Sequence, residues 1–276
     1  MIAASILIGS ILLSCDPALY TPGQLNMPMA DWEHEFRGEV YSGGLANGAF
    51  NGVGGEASYT LDTSLVIFGN GLFIRDTTGG LYTKFSADIG AGLYRHMSHD
   101  WYWEALAGMG YGQAQADIAY RPSLELFAEN ESIHGQLRGN YLKPFLQFDL
   151  YKIKDRFEFC FGNRFSYLGA MYIRDKKFTV TTNPFSNITT IDGITTINRL
   201  TNPVFYEPSV KFRLWVNSFL SLNTSTTLSL PITNTFTSEF NGIYWPIVET
   251  IGITVQFAPP KAAVKEPRQP IPPSHL

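Results

Sequence analysis

The 276-residue sequence is poor in cysteine and in charged side chains. Cys15 and Cys160 are its only cysteines, so no disulfide framework is expected. Charged residues make up 16% of the chain, and the formal net charge is −4 without a basic stripe. This balance gives no electrostatic footprint for nucleic acid, and we predict no nucleic-acid partner.

Residues typical of β-structure are abundant instead. Hydrophobic residues make up 45% of the chain and aromatic residues 14%, with 25 glycines. From Glu35 onward the helical period is missing, and ten segments alternate apolar and polar residues with period two. These segments span 35–44, 49–61, 64–75, 81–95, 101–120, 135–151, 156–174, 204–216, 219–233 and 243–257.

The lengths of the segments and of their connections indicate a barrel. Strands of soluble sheets run about 5–6 residues, whereas a tilted membrane crossing takes roughly 9–11. Tight turns such as "LDTS" and "KIKDR" alternate with wide connections such as "RPSLELFAENESIH", which is the arrangement of short periplasmic turns and long extracellular loops. We predict an all-β chain: a closed antiparallel transmembrane β-barrel of about 10 strands, within 8–12.

The polar faces of these segments predict what fills the barrel. In the fourth segment, Phe85 and Ile89 oppose Lys84 and Asp88. If the apolar faces meet lipid, charges of both signs line an interior only slightly wider than that of an eight-stranded barrel, which side chains fill. The predicted interior polar network comprises Lys84, Asp88, Glu104, Lys143, Asp149, Glu158, Arg164, Glu207, Lys211 and Arg213.

The N-terminal run "IAASILIGSILLSC" indicates an export signal over residues 1–14, because it is shorter than the roughly 20 residues of a spanning helix. Its end, Leu12 to Cys15, resembles the lipobox of bacterial lipoproteins, in which the cysteine is acylated and begins the mature chain. The resemblance implies a lipidated Cys15. Residues 15–34 are then expected to be a linker that joins an acyl anchor in the inner leaflet to the first strand.

The last segment ends in "TIGITVQF", where Thr250, Gly252, Val255 and Phe257 follow a polar, glycine, hydrophobic and aromatic spacing. This resembles the β-signal of outer-membrane β-barrel proteins, which the barrel-assembly machinery reads. The resemblance implies an integral protein of a Gram-negative outer membrane, with outer-membrane lipid and that machinery as partners. The barrel is expected over 35–257, followed by a Pro-rich periplasmic tail over 258–276.

Catalytic patterns are weak, and no cofactor is predicted. The turn "RHMSHD" has His96, His99 and Asp100 at a spacing that could bind one metal, but tight turns are polar by default and we predict no metal site. The loop residues that could serve an enzyme contain one histidine and no motif of the outer-membrane proteases or lipid A deacylases. They are Asp76, Glu129, Glu131, His134, Asp175 and Asp192.

We therefore predict a non-enzymatic barrel that is a structural or accessory envelope component, or that binds ligands through its surface loops. The connection 175–203 is too long to be structureless. We expect it to extend a hairpin above the membrane, and it or the tail to contact an envelope protein. The alternatives are a narrow pore for small solutes, an outer-membrane protease or lipid-modifying enzyme, and a soluble lipocalin-like lipoprotein.

Overall fold

The computed structural model describes residues 20, 24–31, 33–45, 52–76, 82–98, 100–120, 130–182, 189–232 and 247–257. Regular structure within these ranges is β-strand, as the period-two alternation predicted. No helix in this part of the chain is long and apolar enough to cross a membrane. The strands are β1 (Phe36–Leu45), β2 (Gly52–Thr60), β3 (Leu65–Asp76), β4 (Tyr82–Ser98), β5 (Trp101–Tyr120), β6 (Asn130–Lys154), β7 (Phe157–Tyr167), β8 (Gly169–Thr182), β9 (Thr189–Thr201), β10 (Val204–Trp215), β11 (Leu220–Leu228), β12 (Leu230–Pro231) and β13 (Ile247–Phe257).

Ten of these strands close a barrel in which each pairs antiparallel with two neighbours. The order around the ring is β1, β2, β3, β4, β5, β6, β7, β10, β11, β13 and back to β1. The closing seam pairs β1 with β13, from Phe36↔Phe257 to Leu45↔Val248. The predicted closed antiparallel barrel of about ten strands is confirmed, and each predicted segment overlaps one strand of the ring. Two segments were predicted too long: 156–174 also covers the start of β8, and 219–233 also covers β12.

The two ends of the barrel differ in the length of their connections. Short turns join β2 to β3, β4 to β5, β6 to β7 and β10 to β11, and β1 starts and β13 stops at this same end. The connections at the opposite end are longer: 5 residues between β3 and β4, 6 between β1 and β2, and 36 from 168 to 203. We refer to the two ends as the tight-turn end and the long-loop end.

Asp62 fixes one of the tight turns by accepting hydrogen bonds from the chain that follows it. Its Oδ1 accepts the backbone N–H of Ser64 at 2.7 Å and of Leu65 at 2.8 Å, and the Ser64 hydroxyl at 3.0 Å. The Ser64 and Leu65 N–H groups favour the charged form and lower the pKa of the Asp62 carboxyl from its usual value. The turn is therefore held by local hydrogen bonds to an exposed carboxylate.

β8 and β9 form a hairpin that lies outside the ring. β8 pairs with the first part of β6, from Asn130↔Thr182 to Leu142↔Gly169, whereas β7 pairs with the second part. At about 3.3 Å per residue the 25 residues of β6 extend roughly 80 Å, so its first part projects well beyond a bilayer core of about 30 Å. The long connection thus extends a hairpin at the long-loop end, as expected.

The wall alternates between an apolar exterior and a polar interior. In β7, Phe157, Phe161 and Phe165 are exposed, whereas Glu158 and Arg164 are buried. The same alternation runs along β10 and β13, because successive side chains of a strand point to opposite faces. Large apolar side chains therefore cover the outside of a closed sheet whose inside carries the charges.

Candidate functional site

The interior of the barrel holds a piece of the chain itself. Residues 24–31, which we call the lumenal segment, run through the lumen without forming a regular strand, and residues 24–30 are all buried. Residues 24–31 lie within the range 15–34 that was expected to be a linker, and the structure places them inside the barrel. They are part of the barrel core.

The contacts of the lumenal segment set its direction. Asp31 accepts a hydrogen bond at 2.8 Å from the hydroxyl of Tyr102, one residue into β5 at the tight-turn end. Gln24 lies near the middle of the barrel, where Thr250 Oγ1 donates to its side-chain oxygen at 2.8 Å. Tyr20 contacts Phe205, the second residue of β10 at the long-loop end, with ring centroids 4.7 Å apart. Read from Asp31 back to Tyr20, the chain therefore runs from the tight-turn end to the long-loop end.

Hydrogen bonds fasten the backbone of the lumenal segment to the wall. The backbone N–H of Ala30 donates to Glu104 at 2.8 Å, and the Ala30 carbonyl accepts from the Tyr151 hydroxyl at 2.6 Å. The Asn26 carbonyl accepts from the side-chain amide of Gln147 at 2.7 Å. Backbone groups without a strand partner would be costly in a dry lumen, and the wall supplies their partners.

An apolar cluster complements these bonds on the β6 and β7 side. Leu25, Met27 and Met29 are fully buried and pack with Tyr151 and Cys160. The wall leaves room for them at Gly162: a Cβ there would lie 2.8 Å from Met27 Cε and 2.7 Å from Asp149 Oδ1. A larger side chain at this position would have to displace the ends of the Met27 and Asp149 side chains, so glycine permits the close approach of the segment to the wall.

A branched ion network, which we call the lower ion network, surrounds the half of the lumenal segment nearer the tight-turn end. Glu158 accepts from Arg213 at 2.6 Å and from Arg37 at 3.2 Å, and the indole N–H of Trp215 donates to its other oxygen at 2.8 Å. Glu39 pairs with Lys211 at 2.8 Å and with Arg213 at 3.4 Å. Further ion pairs join Arg37 to Glu35 and Lys211 to Glu56.

A second ion cluster lies between β4, β6 and β7. Asp88 pairs with Lys143 at 2.9 Å and with Arg164 at 3.0 Å. Arg164 Nε also donates at 2.8 Å to Gln147, the residue that holds the Asn26 carbonyl. This cluster is therefore connected to the lumenal segment through a shared glutamine.

Tyr20 is enclosed near the long-loop end. Its hydroxyl donates to Glu207, which also accepts from Ser166, and the Lys84 ammonium lies 5.5 Å from the ring centroid. Tyr141 packs edge-on against the ring at 5.5 Å. An aromatic ring between apolar walls with a bonded hydroxyl is a well-defined anchor point.

All ten residues of the predicted interior network are buried in the lumen. Asp88, Lys143, Glu158, Arg164, Lys211 and Arg213 form the ion pairs above, and Glu207 and Lys84 enclose Tyr20. Glu104 and Asp149 lie opposite each other in the β5–β6 ladder, and they contact Ala30 and Gln147.

Sequence reasoning missed the lumenal segment and four charged residues of the network, which are Glu35, Arg37, Glu39 and Glu56. Arg37, Glu39 and Glu56 alternate with outward-facing neighbours on β1 and β2, so the period-two pattern contained the signal for them. The lumenal segment "QLNMPMAD" has no strand or helix period, and only the long-range contacts of the fold place it.

The β-signal residues lie in β13 on the closing seam. Thr250 and Gly252 are buried on the inner face, Val255 is half-buried and Phe257 is exposed beside Phe36. Cys15 and the tail 258–276 lie outside the described residues. So do the side chains of all six candidate catalytic residues, which are Asp76, Glu129, Glu131, His134, Asp175 and Asp192.

No protein-family model matches the chain, and no curated protein matches it. The outer membrane protease OmpT from Escherichia coli is a similar solved structure, at 13% identity and a TM-score of 0.41, with 80% of this chain and 90% of that chain covered. The TodX monoaromatic hydrocarbon channel has 8% identity and a TM-score of 0.22, covering 80% of this chain and 86% of that chain. The copper transporter OprC has 11% identity and a TM-score of 0.20, covering 80% and 41%. Each TM-score is below 0.5, so we take neither activity nor ligand from these proteins, and the architecture rests on the strand pairing of this chain.

Proposed function

We propose that the protein is an integral barrel of a Gram-negative outer membrane that is sealed by its own chain and serves as a non-enzymatic, structural or accessory component of the envelope. The membrane assignment is supported by the exterior, where apolar side chains such as Ile89, Leu146 and Ile251 are at least 60% exposed on a closed sheet. A soluble protein rarely exposes so large an apolar surface, whereas a bilayer requires it.

The proposal that the barrel is sealed rests on one observation, which is that the lumen is occupied. The lumenal segment is hydrogen-bonded to β3, β5 and β6, and ion networks fill the space around it. A ten-stranded barrel is only slightly wider than one that side chains fill, so a buried segment of chain leaves little room for a water path. This arrangement disfavours the pore alternative and supports a role that depends on what the barrel presents at its ends.

Planar-bilayer recordings test the seal. The parent protein is expected to give no steady conductance. A variant in which residues 24–30 are replaced by a Gly/Ser sequence of equal length is expected to conduct, because the lumen then lacks its bonded filling. The same replacement at residues 265–271 of the tail is the matched control and should stay silent.

Both variants are first checked for heat-modifiable electrophoretic mobility, which reports a closed barrel, so that a misfolded product is recognised. Steady conductance of the parent protein would overturn the seal and favour the pore. A product released from outer-membrane lipid or from a denatured protein by the purified barrel would overturn the non-enzymatic assignment.

The surfaces left for partners are the two ends. We propose that residues 175–203, which include most of the β8–β9 hairpin, and the tail 258–276 contact an envelope protein. β9 pairs only with β8 among the described strands, so it offers one ladder edge on which a partner strand can add. Crosslinking in cells should recover the same neighbour from the parent protein and lose it when residues 175–203 are deleted. Recovery unchanged by that deletion and by deletion of the tail would refute both contacts.

A further inference from the structure

We infer that the N-terminal part of the chain leaves the barrel at the long-loop end, so that Cys15 and the acyl anchor implied by its lipobox resemblance lie at the outer leaflet, on the cell surface. This topology rests on the proposed membrane function, in which the long-loop end faces outward. It is the opposite of an anchor in the inner leaflet.

The order of contacts along the barrel axis carries the direction of the chain. The contacts lie at three successive heights along the barrel axis. Asp31 contacts Tyr102 at the start of β5, and Asn26 contacts Gly69 and Gln147 in the middle of the wall. Tyr20 contacts Phe205 near the long-loop end. A chain that entered and left the barrel at the same end would double back and contact the wall twice at the same height. The described contacts instead advance in one direction, from Tyr102 through Gly69 and Gln147 to Phe205.

The lumen below Tyr20 offers no way back. Gln24, Leu25 and Asn26 are at most 1% exposed, and they are bonded or packed against opposite sides of the wall. A second chain passing alongside would have to displace the ion pairs of Asp88 and Glu39, which would leave charges buried without partners.

The reach of the chain then limits where Cys15 can be. It is five residues from Tyr20, so the two Cα atoms are at most about 18 Å apart. Tyr20 bonds Glu207, and from Glu207 down to Trp215 the strand runs about 26 Å, or roughly 20 Å along the axis at a tilt near 40°. Only a fully extended and unobstructed chain could approach the tight-turn end over such a distance, and the lumen between is filled by the lumenal segment and its ion pairs.

Tyr20 fixes the exit. Its ring is fully buried between Phe205 and Tyr141, and its hydroxyl is bonded to Glu207. A residue held this firmly by side chains one to three residues inside the start of β10 places the preceding chain toward the long-loop rim. An acyl group on Cys15 would thus insert into the outer leaflet next to the long-loop rim of the barrel.

Epitope exposure on intact cells tests the topology. One short epitope is inserted between Asp16 and Pro17, a second within residues 183–188 between β8 and β9, and a third after Leu276. Antibody is expected to stain the first and second on intact cells and the third only after permeabilisation. An N-terminal epitope that needs permeabilisation, while the hairpin epitope does not, would overturn the threading.

Failure of the membrane proposal looks different, because the hairpin epitope would then also be hidden and no heat-modifiable band would appear in the outer-membrane fraction. The anchor itself is read by incorporation of a labelled fatty acid, expected in the parent and lost in Cys15→Ser. A parent that incorporates no label would overturn the anchor.

Photocrosslinking tests the threading within the folded barrel. Tyr20 is replaced by p-benzoylphenylalanine, which keeps an aromatic ring at the position, and irradiation is expected to join it to the peptide that contains Phe205. The same replacement at Tyr59, on β2 near the tight-turn end, is the control and should give no crosslink to β10. A Tyr20 probe that crosslinks only to strand ends at the tight turns would refute the direction of the segment.

Discussion

Glu158→Gln isolates the charge at the centre of the lower ion network without changing the size of the side chain. The Glu158 carboxylate accepts from Arg213 and Arg37 on one oxygen and from the Trp215 indole on the other. A glutamine amide has one accepting oxygen and one donating nitrogen. Whichever way it turns, a donor faces either the indole N–H or two guanidinium groups.

The magnitude follows from what remains after the change. Breaking a buried ion pair by neutralising one partner costs about 3–5 kcal/mol. Here Arg37 keeps Glu35 and Arg213 keeps Glu39, so neither cation is left without a carboxylate. We therefore expect the lower end of that range, a loss of about 3 kcal/mol in the free energy of unfolding.

Guanidinium unfolding in lipid vesicles, followed by tryptophan fluorescence, measures this loss. Glu33→Gln is the matched control, because Glu33 is exposed beside the same end of the barrel and should change stability by no more than about 0.5 kcal/mol. Equal midpoints for Glu158→Gln and Glu33→Gln would show that the network contributes nothing through the Glu158 charge, and the reasoning would be wrong.

Three further changes probe other parts of the molecule. Ile89→Arg, at an exterior position 70% exposed, should cost about 2–4 kcal/mol in vesicles if it faces lipid; a change within about 0.5 kcal/mol would place it in water. Gly162→Val should lower the free energy of unfolding by about 1–3 kcal/mol through overpacking, and it should speed hydrogen exchange at the Ala30 N–H. Phe161→Val on the outer face is the control. Unchanged exchange at Ala30 would show that Met27 does not pack against Gly162. Asp62→Asn should lower the unfolding midpoint at pH 7, and because the folded pKa is lowered, the difference from the parent should shrink as pH falls below about 4; a difference that grows in acid would contradict the turn geometry.

Strand periodicity explains why so much of the wall was predictable. A residue such as Lys211 between Val210 and Phe212 has its side fixed once the strand is recognised, because side chains alternate across a sheet. The closed ring followed from the number and length of the segments and from the asymmetry of their connections. Local patterns therefore sufficed for β1 to β7, β10, β11 and β13.

The contents of the lumen were not predictable in the same way. "QLNMPMAD" mixes amide, apolar and proline residues without any period, and a Pro-containing stretch before the first strand has the composition of a linker. Its position is decided by partners far along the chain, such as Gln147, 121 residues beyond Asn26, and Thr250, 226 beyond Gln24. Pairings of that range leave no trace in a local window.

The seam between β1 and β13 has a consequence for the order of assembly. The lumenal segment leads directly into β1, and β1 meets its partner only when β13, the last strand of the ring, has been made. Once that ladder forms, amide, methionine and proline residues would have to be pulled through a space already filled by paired charges. The filling must therefore be laid against an open, curling sheet, and joining of the first and last strands is the step that locks it in.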